Sequence, residues 1–203
     1  FYERRQADLQ PFFAMHPWLY LILVPAVSMR LWAEEAKAGS LELLLTLPVR
    51  LWQAMLGKFL AAWLFVGLAL ALTFPIWLTV NYLGHPDNGV ILAGYLGSWL
   101  MAGAFLAIGA CLSTVTQSQV VAFILSALVC VLLLLAGQAQ VVDFFQEALP
   151  RRLVNAVAHL SLLRHFEAIA RGVLDVRDLA YFVLSIVAWL TAGALLLALR
   201  RSR

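Results

Sequence analysis

The chain has 203 residues, of which 64% are hydrophobic and only 12% charged. A soluble domain is nearer half apolar and a quarter charged, so a soluble protein with an oversized core is set aside in favour of an all-α, polytopic transmembrane bundle. Net charge is +3 and the 14 Lys and Arg residues are scattered, with no basic stripe interleaved with aromatics, which argues against a nucleic-acid partner.

Residues 1–10 are polar, and the chain opens on Phe1 with Glu3, Arg4 and Arg5 close behind. A signal peptide would follow its basic start with an apolar run, and here none begins before Pro11. The expectation is a chain that begins partway into a longer protein. The first apolar span is 11–29, kinked at Pro25, which neighbouring helices tolerate in a membrane. Trp18 and Tyr20 suit the membrane boundary, where amphipathic rings collect. His16 is read as a histidine at the water boundary rather than a proton relay.

The helix should leave the bilayer and run on to Ala38, helped by Arg30 with Glu34 and Glu34 with Lys37 at helical pairing distances. Gly39 suits a left-handed helix C-terminus. Ser40 can then cap a short helix, 40–48, whose first turn carries Glu42, the right sign for the helix dipole. Leu41, Leu44, Leu45 and Pro48 share one face of it, and Pro48 ends it while suiting the first position of the next helix. The interval 30–58 therefore reads as a surface docking element between two spans. It holds four Lys or Arg residues and three acids.

Residues 49–58 are amphipathic, with Leu51, Trp52, Met55 and Leu56 on one side and Arg50 and Lys58 available to headgroups. They lead into a second span, 59–83, with Pro75 as another kink, and 84–89 is a turn by composition. The third span, 90–113, is rich in small residues: Gly94, Gly97, Gly103 and Gly109, with Ala102, Ala107 and Ala110 among them. Small residues at this spacing let membrane helices approach closely, and packing is favoured here over a flexible gate. After a polar turn at 114–118 comes the fourth span, 119–142, where Gln138 and Gln140 either face a wet cavity or mark the interface. Cys111 and Cys130 lie inside apolar segments and count as small hydrophobes, with neither a disulfide nor a metal expected.

Residues 143–178 form the second polar-bearing interval. Leu153, Val157 and Leu160, then Phe166 and Ile169, accompanied by Arg151, Arg152, Arg164 and Arg171, predict two short amphipathic helices at the far surface or dipping into it. The fifth span is 179–199, and Arg200, Arg201 and Arg203 close the chain. Five spans place 30–58 and the C-terminus on one side. Each side then carries seven Lys or Arg residues, so the positive-inside rule leaves orientation open.

No acidic residue lies well inside a span, which argues against an ion-coupled carrier. There is no metal-binding spacing, and His159 and His165 would lie far apart round a helix. No Ser and His pair stands out for an intramembrane protease, Ser98, Ser113 and Ser126 being single candidates. No phosphate-cradling G-x-x-x-x-G-K-[ST] loop occurs, so energy-driven work needs another chain.

The segment MRLWAEEAKAGSLELLLTLPVRLWQAMLGKF resembles the signature region of type-2 ABC exporter permeases, closest to the Gld-type and nitrous-oxide-reductase maturation branch. Glu34 and Glu35 match the family's acidic pair, Gly39 and Ser40 its Gly-Thr, and Glu42 with Leu43, Leu44 and Leu45 its leucine-rich turn. Pro48 matches the proline, and Gly57 with Lys58 the Gly-Lys; Ser40 replaces the usual Thr and still supplies a hydroxyl. The resemblance covers most of the chain. It implies a single permease domain over 1–203 whose five spans are the second to sixth of six, with the first missing.

It further implies a cytoplasmic coupling region at 30–58, an extracytoplasmic 143–178 and a cytoplasmic C-terminus, in the inner (plasma) membrane. The chain would be no enzyme and would bind no cofactor; ATP and magnesium would sit on a partner ABC ATP-binding subunit, present in two copies. A second permease chain would complete a homo- or heterodimer in membrane lipid, with a large extracytoplasmic partner in some branches. The residues expected to couple to the ATPase are Glu34, Glu35, Gly39, Ser40, Glu42, Leu44, Leu45 and Pro48. The alternatives are a module that passes force or signal without transporting, and a 40–48 helix that merely holds two spans in register.

Overall fold

The computed structural model describes residues 9–40, 50–84, 86–136, 138, 141 and 160–201. Among these every regular element is helical: α1 (Gln10–Ser28), α2 (Arg30–Ala38), α3 (Leu51–Ala71), α4 (Phe74–Leu83), α5 (Asn88–Ser113), α6 (Gln119–Leu135), α7 (Leu162–Ala170) and α8 (Val176–Arg201). Four segments are long and apolar enough to cross a membrane: Gln10–Ala38, Leu51–Leu83, Asn88–Ser113 and Val176–Leu199. The fifth expected span is α6, whose 17 described residues rise about 26 Å, at the short limit for a bilayer core.

Punctuation in the sequence decides where the helices break. Pro11 opens α1, where its missing N–H costs nothing. Gly39 takes the left-handed conformation at φ 72°, ending α2 as its lack of a Cβ permits. The second span is interrupted at Leu72 and Thr73 rather than bent at Pro75. Pro75 lies in the first turn of α4, and a proline there relieves the helix just before it. The freed backbone is satisfied locally: Thr73 Oγ1 donates to the Leu70 carbonyl at 2.6 Å, and the Tyr95 hydroxyl donates to the Thr73 carbonyl at 3.3 Å. Asp87 caps α5 by accepting the Gly89 N–H at 2.9 Å.

The core is built round α5, and its small residues set the register of every neighbour. A side chain on Gly94 would collide with Phe13, one on Gly97 with Ile169, one on Gly103 with Trp63, and one on Gly109 with Ser28. Positions rise together along α1 and α5, so these two run parallel. Trp63 against Gly103 and Thr73 against Tyr95 make α3 antiparallel, and Ile186 with Gly103, then Gly193 with Cys111, make α8 parallel. The C-terminus of α2, the N-terminus of α3 and the far end of α8 therefore share one end of the bundle. The packing reading of the small residues holds: they are contact points on a helix buried nearly all round.

At the opposite end α7 dips inward. Leu162, Phe166 and Ile169 form one buried face, and Ile169 rests on Gly97, nine residues or about 13 Å down α5. His165 Nδ1 meets Asp178 Oδ1 at 2.6 Å and pins α7 to α8. The other short helix expected in 143–178 lies outside the described residues.

Candidate functional site

The end shared by α2, α3 and α8 carries a compact joint. On α2, Leu31, Trp32 and Glu35 turn toward α3 while Glu34 is exposed. Lys58 of α3 meets all three: its Nζ pairs with Glu35 Oε1, donates to the Leu31 carbonyl at 2.7 Å, and lies 4.2 Å from the centre of the Trp32 ring. A cation over an indole face gains from the ring quadrupole, most when partly desolvated. Trp32 is fully buried and donates its Nε1–H to Met55 Sδ at 3.2 Å, and Met55 in turn fills the space beside Gly193 of α8.

Several expectations change here. Lys58 faces inward and is not a headgroup contact, because Glu35, the Leu31 carbonyl and Trp32 together satisfy it better than water at a boundary would. The short-range partners Arg30, Glu34 and Lys37 form no ion pair among the described residues; the pair that forms is Glu35 with Lys58. Ser40 Oγ donates backward to the Glu35 carbonyl at 3.4 Å and so closes α2. Glu35 Oε2 is enclosed and has no hydrogen-bond partner among the described residues. Gly57 borders open space, since a Cβ there would meet nothing within 4 Å. Glu42, Leu44, Leu45 and Pro48 lie outside the described residues.

A second polar cluster lies within the spans. His16 Nδ1 and Ser98 Oγ are 2.7 Å apart and Ser98 Oγ and the Tyr20 hydroxyl 2.9 Å; the His16 and Tyr20 rings stack at 5.4 Å, and Phe12 and Phe13 meet His16 edge-on at 4.5 and 5.5 Å. His16 is 6% exposed and Ser98 wholly buried, so the boundary reading of His16 is corrected. Spacing puts His16 and Tyr20 one turn apart on one face of α1, but only the fold shows that this face meets the small-residue stripe. Ser98, one of the serines left as single candidates, does stand at nucleophile–base distance from His16, a pairing that did not stand out in the sequence. They lack what acyl transfer needs, since Ser98 lies mid-helix with no exposed surface and its neighbouring amides are spent in α5.

A family model described as "ABC-2 family transporter protein" matches residues 17–201. The chain belongs to the ABC-2 transporter family. No curated protein and no solved structure matches it. As an ABC-2 permease it is a multi-pass transmembrane subunit of an ABC transporter, not itself catalytic, and it associates with an ABC ATP-binding subunit. Of the sequence-predicted coupling residues, Glu35, Gly39 and Ser40 come together at the end of α2, and Glu34 stands apart on the exposed side. Lys58, matched to the family only as half of a Gly-Lys pair, proves to be the residue that holds the joint.

Proposed function

We propose that this permease is the membrane half of an exporter in the Gld-type and nitrous-oxide-reductase maturation branch, driven by two ATP-binding subunits that seat the 40–48 helix in a groove. The joint end of the bundle is cytoplasmic in this reading, as is the C-terminus, in the inner membrane. Two permease chains, alike or different, form the working unit. The observation that carries the reading is the Lys58 joint. It ties the end of α2 and the start of α3, the two described elements on either side of residues 41–49, to each other and, through Met55, to α8. A push delivered between α2 and α3 then moves three spans together. Exposed Glu34 is free to meet a basic group on the ATPase, whereas Glu35 already serves the joint. The response to ATP is limited to the difference in docking energy between the permease's two states.

The test is co-purification. Wild type is expected to retain its ATPase, and Leu44→Ala with Leu45→Ala to lose it and to uncouple ATP hydrolysis. Retention by the double variant would remove the docking role. Intact ATPase binding and hydrolysis without any solute movement would favour the force-transmitting alternative, with an extracytoplasmic partner as receiver.

A further inference from the structure

α1 and α3 both lean on α5 and leave a groove of about 280 Å³ between them. His16, Tyr20 and Val27 line it on one side, and Phe65, Ala69 and Thr73 on the other. From His16 to Val27 it extends about 16 Å along α1. No Asp, Glu, Lys or Arg lines it. Its volume is at the small end of ligand pockets, suited to one slender chain rather than a bulky ring system.

Two independent features meet at this groove. The second span is broken beside it, at Leu72 and Thr73, and broken spans in transporters bring irregular backbone to a ligand cavity. An ionisable side chain, His16, lines it from within the first span, where such residues are costly unless used. The His16 ring is more than nine-tenths buried, with Nδ1 engaged by Ser98, and Nε2 has no partner among the described residues. Packing alone would be met by phenylalanine at this position. The Ser98 hydroxyl, itself bonded to the Tyr20 hydroxyl, holds the ring at Nδ1, so Nε2 is the atom left to offer.

We infer that the groove is a binding site for an amphipathic molecule with one acyl-type chain lying along α1 and an uncharged hydrogen-bonding head at His16. A phosphate or carboxylate head is disfavoured, because the lining supplies no cation to offset its desolvation. The His16 edge is what makes this stretch selective.

The test uses the full chain in liposomes with a trace of diacylglycerol bearing a photoreactive diazirine in its acyl chain, and separately the matching phosphatidylcholine. Diacylglycerol is expected to label peptides around Leu19–Val27 and Phe65–Thr73, with excess unlabelled diacylglycerol competing. His16→Phe keeps the ring and removes the hydrogen bond, and should lower that labelling about tenfold, the worth of about 1.4 kcal/mol. Ala69→Phe fills the groove without touching the His16 network and should lower it as well, which keeps the inference testable if His16→Phe does not fold. Equal labelling by both lipids without competition would mean annular lipid only and overturn the site. So would labelling that neither variant changes, or a crosslink through the groove to a second copy of the chain. None of these readouts involves the ATPase, so loss of the coupling reading leaves this one standing, and the reverse.

Discussion

α5 and the α3–α4 segment are similarly apolar yet live in opposite surroundings. Within their most apolar stretches 78% of α5 is buried but only 22% of Leu51–Leu83. The difference comes from side-chain size. α5 offers glycine and alanine on successive turns, so larger residues from α1, α3, α7 and α8 seat against its backbone. α3 carries Leu60, Leu64, Phe65 and Leu68 outward and touches the bundle through one face, where Trp63 stacks on Trp99 at 4.2 Å. With no hydrophobic drive between helices in lipid, closeness of approach is what selects partners. The helix with the smallest side chains becomes the centre, and the one with the largest becomes the flank and leaves the groove beside it.

If that contrast is right, the sharpest way to break it is to enlarge α5 where it is tightest. Gly109→Leu would drive a side chain into Ser28, which is wholly buried and fixed by its bond to the Pro25 carbonyl at 3.2 Å. A loss of at least about 3 kcal/mol is expected, seen as loss of the monodisperse, folded species on size-exclusion chromatography. A well-folded Gly109→Leu protein would show that α5 is not the packing centre.

The attachment of the flank through stacked tryptophans is the next target. Trp63 and Trp99 each donate an indole N–H to the other's backbone carbonyl, at 2.9 and 3.4 Å, across the stacked rings. Trp63→Ala removes a large contact from a face with few others, and about 3 kcal/mol should go with it. Thermal or denaturant unfolding in detergent measures it. A comparable cost for Leu64→Ala, which faces outward at 62% exposure, would erase the distinction between the two faces of α3.

The sequence made part of this legible. The stripe from Gly94 to Gly109 announced the close-packed third span, and Gly39 announced the end of α2, because glycine's role in each is local. The proline at 75 announced a break but misplaced it, since the cost of a missing N–H falls on the turn before the proline. What stayed hidden were partner choices made only by the fold. Lys58 had an apparent outlet at the headgroups, and the basic residues at pairing distance on α2 pointed to Glu34 rather than Glu35. Nothing local says that they meet over Trp32. His16 and Ser98 are 82 residues apart, and a histidine near a span end looks the same in sequence whether it faces water or a neighbouring helix.

Smaller effects sharpen the comparison at the joint. Lys58 and Glu35 are 25% and 31% exposed, so their pairing is only partly screened. A double-mutant cycle with Lys58→Met and Glu35→Gln should give a coupling energy of about 1 kcal/mol in unfolding. The functional consequence is larger than the energetic one: each single variant should keep its bound ATPase but let α2 and α3 move relative to each other when nucleotide binds, read as a change in the distance between spin labels at Lys37 and Gln53 that the wild type lacks. A Lys37–Gln53 distance that stays fixed without the pair would show that the pair is not what holds α2 to α3.

The smallest effect is expected at Gly57, one residue before Lys58 yet on the open side of α3. Alanine there meets nothing within 4 Å and removes the conformational cost of glycine in a helix, so Gly57→Ala should stabilise the isolated permease by up to about 1 kcal/mol. The comparison with Gly109 then turns on a single property. Both are helical glycines in apolar spans, but one is required by a neighbour inside this chain and the other is not. If Gly57→Ala raises the melting temperature of the permease alone yet weakens its hold on the ATPase, the close approach that Gly57 permits belongs to the partner. If both properties improve together, that face of α3 stays free in the assembled transporter.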